Sequence, residues 1–204
     1  VTDPAYDDLE GVAAAAVAGG ATCVQVRDKA GTPQARAAVI GRLRSVLPAA
    51  AAVLANDDVE AARLGDGLHV GVSDTPPSAA RAALGPGAMI GWSINDLAQL
   101  DDAVELAACD YVAASPVWAT PTKTDTSAPF GLDGVRAIAA GLAGRLPLVA
   151  IGGIHAGNAE DVVAAGADGI AVVSAICGAA DPAAAARELR ACVDAGLRRR
   201  GVHA

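Results

Sequence analysis

Arg27, Lys29 and Lys123 are cations in a chain whose formal net charge is −8. In Gln25-Val26-Arg27-Asp28-Lys29, period-two alternation puts Gln25, Arg27 and Lys29 on one side of an extended segment. Turned inward, they present one amide and two cations to a single ligand. Turned outward, they are a hydrophilic strand end in water. The run Trp118-Ala119-Thr120-Pro121-Thr122-Lys123 offers two hydroxyls and an ammonium on backbone restricted by Pro121. Hydroxyls donate to phosphate oxygens and lysine supplies a point charge, so the segment suits a phosphate. A solvated loop with an incidental lysine is the alternative.

Acids and glycines complete the set. Asp57 and Asp74 follow two neighbouring apolar runs, and two carboxylates with waters and a substrate phosphate are how Mg²⁺ is usually held. Two other uses stay open: Asp57 precedes Val59-Glu60 and could cap a helix there, and Asp74 could shape the turn before Thr75-Pro76. A carboxylate pair for general acid–base work fits less well, because the nearby cations keep both ionised. Ile151-Gly152-Gly153-Ile154 and Val172-Val173-Ser174-Ala175 each follow a strand-like run. Glycine lets backbone approach an anion closely, and N–H groups at a strand-to-helix turn bind one. Of the three histidines, His203 is in the tail, His155 follows the glycine pair, and His69 lies inside a strand, where a packed, hydrogen-bonded imidazole is expected ahead of a catalytic one. There is no Ser/His/Asp set and no HExxH metal motif. Trp92 and Trp118 could wall a binding mouth, and packing explains them equally well.

The elements that must position these residues alternate strictly. Short β-branched runs near 22–26, 52–55, 67–70, 89–91, 111–114, 148–151 and 169–173 read as strands. Helices are expected near 9–18, 33–46, 59–64, 78–84, 97–107, 132–142, 159–165 and 182–198, with Thr32-Pro33 and Asp181-Pro182 as good starts. The alternation predicts an α/β chain with a parallel sheet: a single (β/α)8 barrel, residues 1–204 forming one domain, its first strand truncated to Val1-Thr2-Asp3. In such a barrel every polar strand end named above falls on the C-terminal mouth.

Composition narrows the function. Hydrophobic residues make up 53% and aromatics only 2%, so the core is built from Ala, Val, Leu and Ile. The acidic balance and the shortage of aromatics argue against nucleic acid, and no long uncharged apolar span or leader points to a membrane or to export. The basic run Arg198-Arg199-Arg200 complements a helix C-terminus. Cys23, Cys109, Cys177 and Cys192 form no CxxC and read as free thiols in a reducing, cytoplasmic compartment. A homo-oligomer is left open.

Taken in order, the motifs Gln25-Val26-Arg27-Asp28-Lys29, Asn56-Asp57, His69-Val70-Gly71 with Ser73-Asp74, Gly91-Trp92-Ser93, Thr120-Pro121-Thr122-Lys123, Ile151-Gly152-Gly153-Ile154 and Val172-Val173-Ser174 resemble the thiamine phosphate synthase family. The resemblance covers nearly the whole chain. It implies a transferase that joins hydroxymethylpyrimidine pyrophosphate to a thiazole phosphate and releases pyrophosphate, which departs first to leave a pyrimidine-methyl cation. By position it implies that Gln25 and Ser93 meet the pyrimidine substrate, that Arg27, Lys29, Asn56 and Lys123 hold its pyrophosphate, and that Asp57 and Asp74 hold Mg²⁺. Thr120, Thr122, Gly153, Val173 and Ser174 take the thiazole phosphate, and Lys123, Ser93 and Arg27 carry catalysis. Ala114-Ser115-Pro116 and Trp118-Ala119 depart from the family pattern without touching a charged position. Two rival readings are a thiazole tautomerase on the same barrel and a silent sensor of thiamine-pathway phosphates. A metal-and-pyrophosphate end is of little use to the tautomerase.

Overall fold

Runs of three to six residues rich in Val, Leu and Ile become strands β1 (Cys23–Val26), β2 (Ala52–Asn56), β3 (Gly67–Val70), β4 (Met89–Ile94), β5 (Tyr111–Ala114), β6 (Leu148–Ile151) and β7 (Gly169–Ala171). In this computed structural model, which describes residues 1–120 and 128–202, they form a seven-stranded sheet in the order β1-β2-β3-β4-β5-β6-β7. Every neighbouring pair is parallel. The expected barrel architecture is therefore borne out. Between the two edge strands lie Val1 and Thr2. The Val1 nitrogen donates to the Val172 carbonyl at 2.9 Å. The Thr2 N–H donates to the Gln25 carbonyl at 2.9 Å, and Thr2 Oγ1 accepts from the Arg27 N–H at 3.0 Å.

The connections are helices α1 (Leu9–Ala18), α2 (Pro33–Val46), α3 (Val59–Ala62), α4 (Pro77–Leu84), α5 (Ala103–Ala108), α6 (Gly131–Leu142), α7 (Ala156–Ala164), α8 (Ser174–Cys177) and α9 (Pro182–Arg199). Thr32 and Asp181 cap α2 and α9, each with proline in the first turn. Two segments differ from expectation. The helix expected over 97–107 is a 3-10 turn, Leu97–Asp101, followed by α5. The break falls at Asp102, whose carboxylate caps α5 by accepting from the Glu105 N–H at 3.1 Å. The N–H-rich turn expected after the last strand is wound into a one-turn helix, α8, which the expected helices do not include.

Alternate residues of each strand point outward to the helices and make the core. Val26, Leu68, Ile90 and Val112 meet Ile40, Leu43, Ile138 and Leu142, all essentially without exposed surface. Burying each such side chain stabilises the fold by ~1.5–3 kcal/mol. Trp92 belongs to this layer at 6% exposure rather than to the mouth.

A repeated device closes the N-terminal end. Asp66, Asp110 and Asp168 immediately precede β3, β5 and β7, and each pairs with the strand before it through two hydrogen bonds. Their N–H groups donate to the carbonyls of Val53, Ile90 and Leu148. Their carboxylates accept from the N–H groups of the same residues at 2.7, 2.6 and 2.9 Å. Arg44, Arg81 and Arg200 hold the three carboxylates from the helix layer at 2.5, 2.6 and 2.8 Å. These arginines also donate to the carbonyls of Ala51, Ala88 and Ala167, which backbone bonding would otherwise leave open.

Candidate active site

A cavity of about 330 Å³ opens where the strands end. Its one side is built by Gln25, Arg27, Lys29, Asn56, Asp57, Asp74 and Ser93, its other by Thr120, Gly153, Val173 and Ser174. The fold thus brings together every sequence-predicted site residue among the described ones. Thr122 and Lys123 lie outside the described residues. Another cavity, of about 320 Å³, lies between α1, α9, β1 and β7; it is lined mainly by aliphatic side chains and shares only Gln25 with the predicted set.

Alternation along β1 works as expected: Val24 and Val26 are buried against the helices, while Gln25, Arg27 and Lys29 line the cavity. Gln25 Nε2 donates to Asn56 Oδ1 at 3.1 Å, which leaves Gln25 Oε1 and the Asn56 amide hydrogens for a ligand. Lys29 Nζ is 3.1 Å from Asp57 Oδ2.

The two adjacent acids have separate tasks. Asp58 caps α3, accepting from the Ala61 N–H at 3.0 Å, and pairs with Arg36 at 2.8 Å. Asp57 is thereby relieved of capping. With φ 61 it turns left-handed, a conformation Asp tolerates, and its N–H donates to the His69 carbonyl at 2.9 Å. Burial first, then the facing Asp74 carboxyl, holds the Asp57 carboxyl above its ordinary range, with Lys29 pulling the other way. Asp74 takes up the turn-shaping use, its Oδ2 accepting from the Gly71 N–H at 2.8 Å, and it also lines the cavity. Two facing carboxyls, one of them held above its ordinary range by burial and by the other, are a donor set that a divalent cation would relieve. The residues present fit Mg²⁺. Among the described residues no group of three or more His, Cys, Asp and Glu side chains gathers around one point, so ligand oxygens or water would complete its shell.

His69 is hydrogen-bonded at both ring nitrogens, with Tyr111 Oη 2.8 Å from Nδ1 and Ser93 Oγ 2.8 Å from Nε2. The imidazole is packed and bonded, as expected; Tyr111, at the start of β5, shows no chemistry in the sequence until register sets it beside His69.

At the other end, Gly152 and Gly153 have φ 107 and 66. A Cβ on Gly153 would come within 2.9 Å of Trp118 Cβ, so only glycine keeps this backbone against the segment carrying Thr120. Val173 caps α8 without any side-chain hydrogen bond, which leaves first-turn N–H groups facing the cavity. His155 and Ser115 also line this end and were not singled out. His155, separated from the glycine pair by Ile154, caps α7 by accepting the Gly157 N–H at Nδ1, 3.2 Å.

Fold and site together define a (β/α) barrel whose C-terminal mouth gathers cations and acids at one end and backbone donors at the other. The family model described as thiamine monophosphate synthase matches residues 1–176. A thiamine-phosphate synthase of Albidiferax ferrireducens is 48% identical over 190 residues, covering 92% of this chain and 85% of that protein. One of Moorella thermoacetica is 43% identical over 182 residues, covering 87% and 85%. The solved thiamine phosphate pyrophosphorylase of Pyrococcus furiosus superposes with a TM-score of 0.85 at 33% identity, over 96% of this chain and 94% of that one. The chain belongs to the thiamine monophosphate synthase family. No helix among the described residues is long and apolar enough to cross a membrane.

Proposed function

We propose that this protein, acting as one domain over residues 1–204, is a thiamine-phosphate synthase that transfers the hydroxymethylpyrimidine group from its pyrophosphate ester to thiazole phosphate. The observation carrying this reading is the convergence of Arg27, Lys29, Asp57 and Asp74 on one end of the mouth, opposite Gly153 and Ser174 on the other. A pyrophosphate suits the first end and a monophosphate the second.

The Gln25 amide, held by Asn56, meets the pyrimidine. Arg27 and Lys29, with Lys123 assigned from sequence alone, neutralise the pyrophosphate, and Ser93 donates to it. The bond from the pyrimidine methylene to the pyrophosphate oxygen breaks first, its electron pair leaving with pyrophosphate. The thiazole nitrogen then forms the new C–N bond with its lone pair. None of these side chains serves as a nucleophile; the work is charge stabilisation and aim. Mg²⁺ held by Asp57 and Asp74 would supply further positive charge against the leaving group. Thr120, Thr122, Gly153, Val173 and Ser174 grip the thiazole phosphate so that its ring nitrogen faces the methylene. The family's tautomerase reading has no use for paired acids beside Lys29. The four free cysteines support work in a reducing compartment, the cytoplasm.

Mixing both substrates with Mg²⁺ tests the proposal: pyrophosphate and thiamine phosphate should appear in equal amounts. Binding of both substrates with no pyrophosphate above the buffer control would sink it.

A further inference from the structure

Gly91 has no room for a side chain, and the reason is Tyr111. Strands β3, β4 and β5 pair so that His69, Gly91 and Tyr111 stand side by side in one row of the sheet. Residues in such a row face the same way, and His69 faces the cavity. A Cβ on Gly91 would lie 2.0 Å from Tyr111 Cζ and 2.3 Å from its Oη. The phenol fills the space the glycine vacates and reaches the imidazole. The two rings stack with centroids 5.6 Å apart and 23° between planes, and Oη meets Nδ1 at 2.8 Å. Ser93 is two residues beyond Gly91, on the same face and one step nearer the mouth, with Oγ 2.8 Å from Nε2. A line of three polar side chains therefore rises from the barrel interior to the cavity.

We infer that His69, locked by Tyr111, is a positioning residue that sets the polarity of Ser93. Tyr111 Oη–H donates to Nδ1, Nε2–H donates to Ser93 Oγ, and the serine hydrogen is left to donate into the cavity. Burial raises the Tyr111 phenol far above its ordinary range, so it keeps its proton and acts as a donor. With Nδ1 accepting, the neutral ring carries its hydrogen on Nε2. The opposite order would turn serine lone pairs toward an anionic leaving group, and repulsion would replace a hydrogen bond. This step rests on the proposed reaction for the identity of that anion. The row geometry stands without it.

Two measurements test the inference. In ¹⁵N-histidine-labelled protein, with His69→Gln to assign the signal, His69 should be the Nε2–H tautomer, and Tyr111→Phe should mix the tautomers. An Nδ1–H tautomer in the unsubstituted protein overturns the proposed polarity whether or not the enzyme turns over. In kinetics, Ser93→Ala should lower kcat about 100-fold, the scale for losing one donor to a developing anion. His69→Leu should cost the same, and the double variant no more than either single, while the KM for thiazole phosphate holds. His69→Gln, whose amide N–H can replace Nε2–H, should recover most of the loss. Penalties that multiply in the double variant would mean that His69 does not act through Ser93. Should His69→Leu fail to fold, Tyr111→Phe, which removes one hydroxyl, carries the same comparison with Ser93→Ala. An unsubstituted protein that turns over no substrate would sink the proposed reaction, and the tautomer would still decide the polarity.

Discussion

Asp57 and Asp58 are adjacent and identical in chemistry, yet their surroundings give them opposite work. Asp58 is 11% exposed, and the Ala61 N–H and Arg36 together outweigh its burial and hold its carboxyl below the ordinary range. A depressed folded value contributes stability above the unfolded value of about 3.9, and that stability is lost as pH falls through the folded value. Asp58→Asn keeps the cap but removes the charge. We expect it to cost about 1–2 kcal/mol at pH 7, a difference that closes toward pH 2 in urea unfolding, with activity intact. Asp57 has the reverse sign. Its raised value means that the ionised carboxyl opposes folding, and that cost grows as pH rises through the folded value. Asp57→Asn should be no less stable than the parent at pH 7 and should lose activity at limiting Mg²⁺. A stability loss matching that of Asp58→Asn would show that Asp57 is structural. Sequence alone placed a carboxylate pair at Asp57 and Asp74 but could not apportion capping between neighbours. Cap geometry depends on where the strand releases the chain, which a two-residue spacing does not reveal.

At the scale of elements, all the strands could be read in advance because β-branched runs bounded by Gly, Asp and Ala carry a strong local signal. What escaped was set by competition or by brevity. Asp102 broke a helix whose apolar pattern ran through it, and α8 is four residues long, shorter than any helical period could mark. The Asp-before-strand repeat at Asp66, Asp110 and Asp168 was visible as letters, but its use depends on parallel register, which pairs each carboxylate with the preceding strand. These clamps lie at the N-terminal end of the strands, opposite the cavity, and so should separate stability from activity. Asp110→Ala removes the Ile90 N–H contact and leaves Arg81 without its carboxylate. It should lower the unfolding free energy by about 2 kcal/mol. Both KM values should stay unchanged when assayed well below the melting temperature. A shift in either KM would show that the two ends of the barrel are coupled.

Across the whole molecule, a net charge of −8 would repel two phosphorylated substrates if it were spread evenly. The fold solves this by position. Most arginines are consumed by carboxylates in the helix layer and at the N-terminal clamps, as with Arg36, Arg44, Arg81 and Arg200. Arg27 has no carboxylate partner among the described residues and faces the cavity. In the proposed reaction the second anion would meet no charge, only backbone donors beside Gly153 and at the start of α8. If the two ends are separate, damage to one should spare the other. Gly153→Val places a branched side chain on backbone with φ 66 and against Trp118, displacing the segment that carries Thr120. The KM for thiazole phosphate should rise at least about ten-fold, a loss of ~1.4 kcal/mol of uniform binding, while that for the pyrimidine pyrophosphate stays within about three-fold. Inorganic pyrophosphate with Mg²⁺ should bind the variant as it binds the parent by calorimetry. Equal rises in both KM values, or loss of pyrophosphate binding, would mean that the mouth is one continuous anion site.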